Sequence, residues 1–138
     1  MDIVNEIVEK LKENTYSFPV TFNDGVTYEE LVFPSVSIEL IESYDTDISN
    51  NGHTEYIKLR FTYYSKQEEL NDTVVSGRRV IEILRDEVQN YLDSNNYHMV
   101  RRSTAPLMWD TNDTSKTQRV FTYDGKLDPS TGYIYYTN

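Results

Sequence analysis

Apolar positions at the amino end recur with helical spacing. Ile3, Val4, Ile7, Val8 and Leu11 form one stripe, Glu6, Glu9, Lys10, Lys12 and Glu13 surround it, and Asp2 stands where an N-cap belongs. This predicts a helix over 2–13, stopped at Asn14-Thr15. Tyr16 to Phe22 reads as a short strand that Pro19 confines to a sheet edge or a strand start, and Asn23-Asp24-Gly25 marks a turn. After Pro34, Val36, Ile38 and Leu40 alternate with polar neighbours and predict a strand over 35–42. Residues 44–53 carry no such pattern and read as a polar loop. Thr54 to Tyr64 shows the clearest alternation in the chain, with Ile57, Leu59, Phe61 and Tyr63 on one face and Tyr56, Lys58, Arg60, Thr62 and Tyr64 on the other.

Helical spacing returns in Val74, Ile81, Leu84, Val88, Tyr91 and Leu92, broadened by Val80 and Ile83, and predicts a long helix over 69–93 that Asn95-Asn96 end. Gly77 falls inside it, at a cost of about 1 kcal/mol against alanine, which marks the close approach of another backbone. Three strands are expected beyond, over 97–104, 116–124 and 132–137. Pro106–Ser115, with the single tryptophan, reads as a long polar loop, and Asp124-Gly125 as a tight turn. The expected fold is α+β: a mixed, mostly antiparallel sheet with the amino-terminal helix and one long central helix packed on one face. With 138 residues and no repeat, low-complexity tract or linker, residues 1–138 read as one domain.

Composition narrows the chemistry. There is no cysteine, which removes disulfides, thiolate nucleophiles and Cys-ligated metal from consideration. No basic segment precedes an apolar run at the start, and no apolar stretch approaches the ~20 residues of a membrane helix, so a soluble intracellular chain without a membrane partner is expected. The formal net charge of −10 is unevenly spread. Residues 1–57 hold twelve Asp and Glu against Lys10 and Lys12, and residues 58–138 hold eleven of each sign. An acidic excess disfavours nonspecific binding to nucleic acid. It reads either as a solvated surface or as a face that repels a polyanion or meets a basic partner.

No catalytic constellation emerges. Neither a Gly-x-Ser-x-Gly elbow nor a phosphate-binding glycine loop is present, and the two histidines, His53 and His98, stand apart. Asp45 to Gly52 offers oxygen donors in the manner of a calcium loop. It fails at the sixth position, where Asn50 replaces glycine, and at the twelfth, where Tyr56 replaces glutamate. No enzyme activity, cofactor or metal is expected. The aromatic content says more. Twelve tyrosines accompany five phenylalanines, and the Tyr56, Lys58, Arg60, Thr62, Tyr64 face mixes tyrosine with long basic side chains. That mixture fits either tyrosines covering neighbouring strands or a protein–protein contact.

Several segments together carry a resemblance: the helix Ile3-Val4-x-x-Ile7-Val8, the strand Phe33 to Leu40, the acidic connection into Tyr56-Ile-Lys-Leu-Arg-Phe-Thr-Tyr-Tyr64, the helix Val74–Leu92, and the closing Arg119-Val-Phe-Thr-Tyr-Asp124 and Tyr133-Ile-Tyr-Tyr136. In order and polarity the chain resembles the tail terminator (tail completion) proteins of long-tailed bacteriophages. The resemblance implies a structural virion protein, assembled in the host cytoplasm and located at the head-proximal end of the tail. It implies a homo-oligomer, a hexameric ring that stops polymerisation of the tail tube protein, offers the joining surface for the head–tail connector proteins, and passes DNA through its lumen without sequence-specific binding.

A head-to-tail ring needs two complementary patches. The candidates for one subunit interface are Tyr56, Lys58, Arg60, Tyr64, Arg78, Arg79, Arg101 and Arg102, and for an acidic interface or lumen Glu39, Glu42, Asp45 and Asp47. Trp109, with Asp110 and Asp113, marks a candidate arm that orders on contact with the tube or a neighbour, or else a flexible loop. Alternatives are a head–tail connector component, a tail tube subunit, or a small non-viral ligand-binding α+β domain. A tube subunit brings a long hairpin arm and fewer helices, which the length of the second helix opposes.

Overall fold

The computed structural model describes residues 2–25, 32–49 and 52–136, with the backbone alone for 45–49 and 52–53. Helix α1 spans Ile3–Lys12, capped by Asp2, whose carboxylate accepts from the amide of Asn5 at 3.2 Å. All five stripe residues are buried. The chain turns back under Tyr16, whose hydroxyl donates to the Leu11 carbonyl at 2.7 Å. Strand β1 is short, Thr21–Asn23, and lies parallel to the start of β2, with Thr21 opposite Ser35 and Phe22 opposite Val36. Residues 16–20 are irregular rather than extended into the sheet.

Strands β2, Ser35–Ser49, and β3, Gly52–Ser65, form one long antiparallel hairpin. Of the expected polar loop over 44–53, residues 44–49 and 52–53 are strand arms, 50 and 51 lie outside the described residues, and β2 runs well beyond residue 42. Register shifts between Leu40 and Glu42 and between Asp45 and Asp47 kink β2 along its length. The reason the pattern hides these arms is physical: Leu40, Ile41 and Tyr44 are exposed, so neither face of the arm is sorted by a core.

The long helix is also shorter than expected. Glu68–Leu70 (β4) and Thr73–Val75 (β5) make a small hairpin. Its two turn residues, Asn71 and Asp72, take φ of 52° and 64°, the left-handed pair that a two-residue turn needs. Helix α2 follows, Gly77–Ser94, with Ser76 as N-cap and Asn95 as C-cap. Val74 is thus a strand residue, 59% exposed, and no part of the helical stripe.

Gly77 does mark a close approach, but at the helix start. A Cβ there would lie 2.7 Å from Thr117 Oγ1 and 3.2 Å from the Ser115 carbonyl. Ser65 Oγ donates to the Gly77 carbonyl at 2.6 Å and lies 2.9 Å from Thr117 Oγ1, tying the first turn of α2 to the sheet.

The remaining strands are β6, Val100–Thr104; β7, Met108–Trp109; β8, Thr117–Leu127; and β9, Ile134–Tyr135. Residues 97–99 contribute only a bridge from Tyr97 to Ile134, and β8 continues through Asp124-Gly125, which is strand and not turn. Gly125 is there because Ile134 packs against its backbone, where a Cβ would collide.

The strand order is β1-β2-β3-β8-β6, with β7 and β9 also against β8; all pairs but β1–β2 are antiparallel. Helix α1 lies against β1 and β2, and α2 against β3 and β8. The core forms between, from Ile7, Leu11, Val36, Ile38, Leu59, Phe61, Tyr63, Ile81, Leu84 and Phe121 among others. The fold is α+β, as the sequence predicts.

Three substitutions separate these assignments in urea denaturation. Ile81→Ala, in the core face of α2, is expected to cost about 2–5 kcal/mol. Val74→Ala stays within about 0.5 kcal/mol because the side chain is solvated. Gly77→Ala destabilises by about 1–3 kcal/mol through overpacking against Thr117, although alanine is the better helix former.

Candidate functional site

The sheet has two unlike faces. The inner row of β3 meets the helices. The outer row has no helix over it among the described residues, and the register places its side chains in cross-strand rungs. One rung is Tyr44, Tyr56, Lys126 and Tyr135, running across β2, β3, β8 and β9. The next is Glu42, Lys58, Asp124 and Val100, followed by Glu39, Arg60, Thr122 and Ser103. At the far end stand Tyr64, Gln118 and Met108. The face is therefore aromatic at both ends and charged in the middle.

The charged middle is matched within the chain. Arg60 donates to Glu39 at 3.3 Å, and Lys58 lies 3.6 Å from Glu42. These are solvated pairs, worth no more than about 1 kcal/mol each. The stronger centre is Asp124, only 4% exposed. Arg102 Nε donates to both of its oxygens, at 2.9 and 2.8 Å, and the Tyr56 hydroxyl donates to Oδ2 at 2.6 Å. The ring of Tyr56 stacks on Tyr44 at 4.8 Å between centroids. This triad ties β3, β6 and β8 together across the outer face, and a chain reading that takes Asp124 for a turn residue cannot find it. The available signal is the alternation Gln118, Val120, Thr122, Asp124, which carries the strand through the glycine.

The eight interface candidates fall in three places. Tyr56, Lys58, Arg60, Tyr64 and Arg102 share the outer face. Arg78 and Arg79 sit on the first turn of α2 and pair with Glu82 at 3.5 and 3.0 Å. Arg101 stands opposite Tyr123 and lines a hollow of about 260 Å³ with Arg85, Asp86 and Met99. Of the acidic candidates, Glu39 and Glu42 are in the pairs above, and the side chains of Asp45 and Asp47 lie outside the described residues, as does that of His53.

The arm candidates form a braced turn. Trp109 is in β7 and 57% exposed. Asp110 accepts from the amides of Asn112 and Asp113 at 2.8 and 3.3 Å. Asp113 accepts from the amide and hydroxyl of Ser115 at 3.1 and 2.6 Å, which holds its carboxyl below the usual range. Trp109, Asp110, Phe33, Tyr64 and Lys116 border a hollow of about 420 Å³, and the Lys116 ammonium lies 5.3 Å from the centre of the Phe33 ring. His98 is half-buried, with Nδ1 3.4 Å from Asp93 and its ring against Tyr136. Among the described residues, no group of three or more His, Asp and Glu is placed to hold a metal ion.

The tyrosines give a pH signature. The hydrogen bond to Asp124, then burial, pushes Tyr56 up to about 12 from 10.0. Burial raises Tyr16 and Tyr123 to about 12, and raises Tyr63 as well. A phenol with a higher pKa folded than unfolded adds stability that is complete below about pH 10 and lost as pH rises from there through about 12. Spectrophotometric titration is expected to show a late phenolate phase that merges with the early one on unfolding. Asp124→Asn should move Tyr56 back toward its ordinary value and cost about 1–3 kcal/mol by weakening the Arg102 contact. A titration curve identical to that of the unaltered chain would remove Asp124 as the cause.

Neither models of known protein families nor the curated proteins give a match to this chain.

Proposed function

We propose that this chain is a non-catalytic structural protein that assembles with copies of itself into a ring, and that the ring is a phage tail terminator. The observation that carries the reading is the sheet face that no helix covers among the described residues. Antiparallel sheets commonly leave one face to water, and such a face is expected to be polar. Here Tyr44, Tyr56 and Tyr135 form a rung at one end, and Tyr64, Met108 and Trp109 gather at the other. Tyrosine, tryptophan and methionine are enriched where proteins dock, and the neutralised charges between them present little net field to a partner.

On this reading the ring sits at the head-proximal end of the virion tail, with the tail tube protein on one side and the head–tail connector proteins on the other. The acidic excess of residues 1–57 supports a lumen through which DNA slides without binding. The resemblance supplies the tail and the ring; the surface supplies the reason for assembly. The β2–β3 hairpin favours a second reading, the tail tube subunit, because a long hairpin arm is what such a subunit brings.

Native mass spectrometry over a range of concentrations, with negative-stain images, tests both. Closed hexamers with a central hole are the expected result. Open tubes of indefinite length would replace the terminator with the tube subunit. A monomer at every concentration, together with a small molecule held in the hollow beside Trp109, would turn the reading to a ligand-binding domain.

A further inference from the structure

The hollow beside Arg101 lies on the helix side of the sheet, at the opposite end of the strand order from β1 and β2. It holds about 260 Å³ and is bordered by Arg85, Asp86 and Gln89 of α2, by Arg101 of β6 with Met99 just before it, and by Tyr123 of β8. Tyr123 is 4% exposed, and its hydroxyl has no hydrogen-bond partner among the described residues. A buried polar group left without a partner is costly, so this hydroxyl marks a place where an acceptor belongs. Burial pushes the phenol up, Arg85 and Arg101 pull it down, and Asp86 pushes it up again, which sets it among the three charges that border the hollow.

The rest of the polar lining is rich in donors. The register shift after Arg101 sends Arg102 to Asp124 on the outer face and leaves Arg101 opposite Tyr123, with no ion pair or hydrogen bond among the described residues. Arg85 lies 5.7 Å from the centre of the Phe121 ring and gives one nitrogen to Asp86 at 2.9 Å; its other donors have no partner among the described residues. Gln89 adds an amide. Asp86, the one acid on the border, is already engaged by Arg85. Charge then selects the occupant. Two guanidiniums against one carboxylate leave a single positive charge, in a chain whose net charge is −10. A monoanion cancels it, whereas a phosphate monoester, at about −1.5 to −2, would leave negative charge beside Asp86. Met99, buried, and the ring of Tyr123 give the hollow an apolar wall. Its volume lies below the roughly 300–1,000 Å³ of pockets for drug-sized ligands, so the occupant is small.

We infer that this hollow binds a carboxylate carried on a short apolar body. The Arg101 guanidinium donates to the carboxylate in its forked geometry, the Tyr123 hydroxyl donates to one of the oxygens, Arg85 adds charge from the helix side, and the apolar body lies against Met99. Two sources supply such a group: a free small acid, or an Asp or Glu side chain of a second copy. The inference stands apart from the self-assembly reading, since a lone subunit and a ring subunit carry the same hollow.

Methionine supplies the probe, because Met99 borders this hollow and Met108 stands on the outer face. The chain labelled with ¹³C at the methionine methyls is titrated with benzoate, and separately with the neutral benzamide, at constant ionic strength. Benzoate is expected to move the Met99 signal to saturation while Met108 stays still, and benzamide to move neither. Arg101→Gln, at an exposed position, should weaken benzoate binding at least about tenfold. Tyr123→Phe should weaken it about fivefold and leave the urea midpoint unchanged, since the hydroxyl makes no bond within the described residues. A Met99 signal that stays still, or that benzamide moves as far as benzoate, would overturn the carboxylate site. Benzoate binding of unaltered strength in both variants would overturn it as well. Native mass spectrometry of Arg101→Gln separates the sources once benzoate binds: assembly lost in the variant assigns the carboxylate to a second copy, and an unaltered oligomeric state assigns it to a free acid.

Discussion

Strand β3 is the element on which the rest depends. It is paired along both sides, to β2 from its start and to β8 from Glu55 through Ser65. Because successive side chains point to opposite faces, its register fixes the sorting of both neighbours. Ile57, Leu59, Phe61 and Tyr63 face the helices and are almost fully buried; Tyr56, Lys58, Arg60 and Tyr64 face out. A slip of one residue would bury two cations and two tyrosines against α1 and α2. The T-shaped ring contacts Phe61–Tyr123 and Tyr63–Phe121, at 5.2 and 5.4 Å, act against such a slip.

The same sorting explains what could be read from the chain. Where one face is buried, the polarity pattern records it: the stripe of α1, the alternation of β3 and the stripe of α2 from Val80 onward all mark real elements. Where neither face is buried, nothing writes the pattern. The arm of β2 beyond Glu42 is held by hydrogen bonding to β3 and reads as loop. The β4–β5 hairpin fails for a second reason, since Val74 happens to fall at helical spacing from Ile81 while pointing into solvent. Asp124 and Gly125 fail for a third. The pair has turn chemistry, yet the aspartate is held by Arg102 and Tyr56 and the glycine makes room for Ile134. Local propensity gave way to tertiary contacts at both positions.

The candidate surface was half visible for related reasons. Tyrosines alternating with basic residues on β3 identify the outer face correctly. Sequence cannot show that Glu39 and Glu42, on the acidic half of the chain, reach across the hairpin to Arg60 and Lys58 on the neutral half. The division of charge along the chain is therefore not a division of the surface into an acidic and a basic patch. The excess remains where no cation is opposite.

That redistribution bears on how copies can meet. Matched pairs in the middle of a face give no long-range pull, since their fields cancel within a Debye length. Orientation must then come from direct contacts rather than from a long-range field. The aromatic rungs on the face are indifferent to sign and add area wherever they are covered. Contact made through those rungs draws on apolar burial, which salt does not screen.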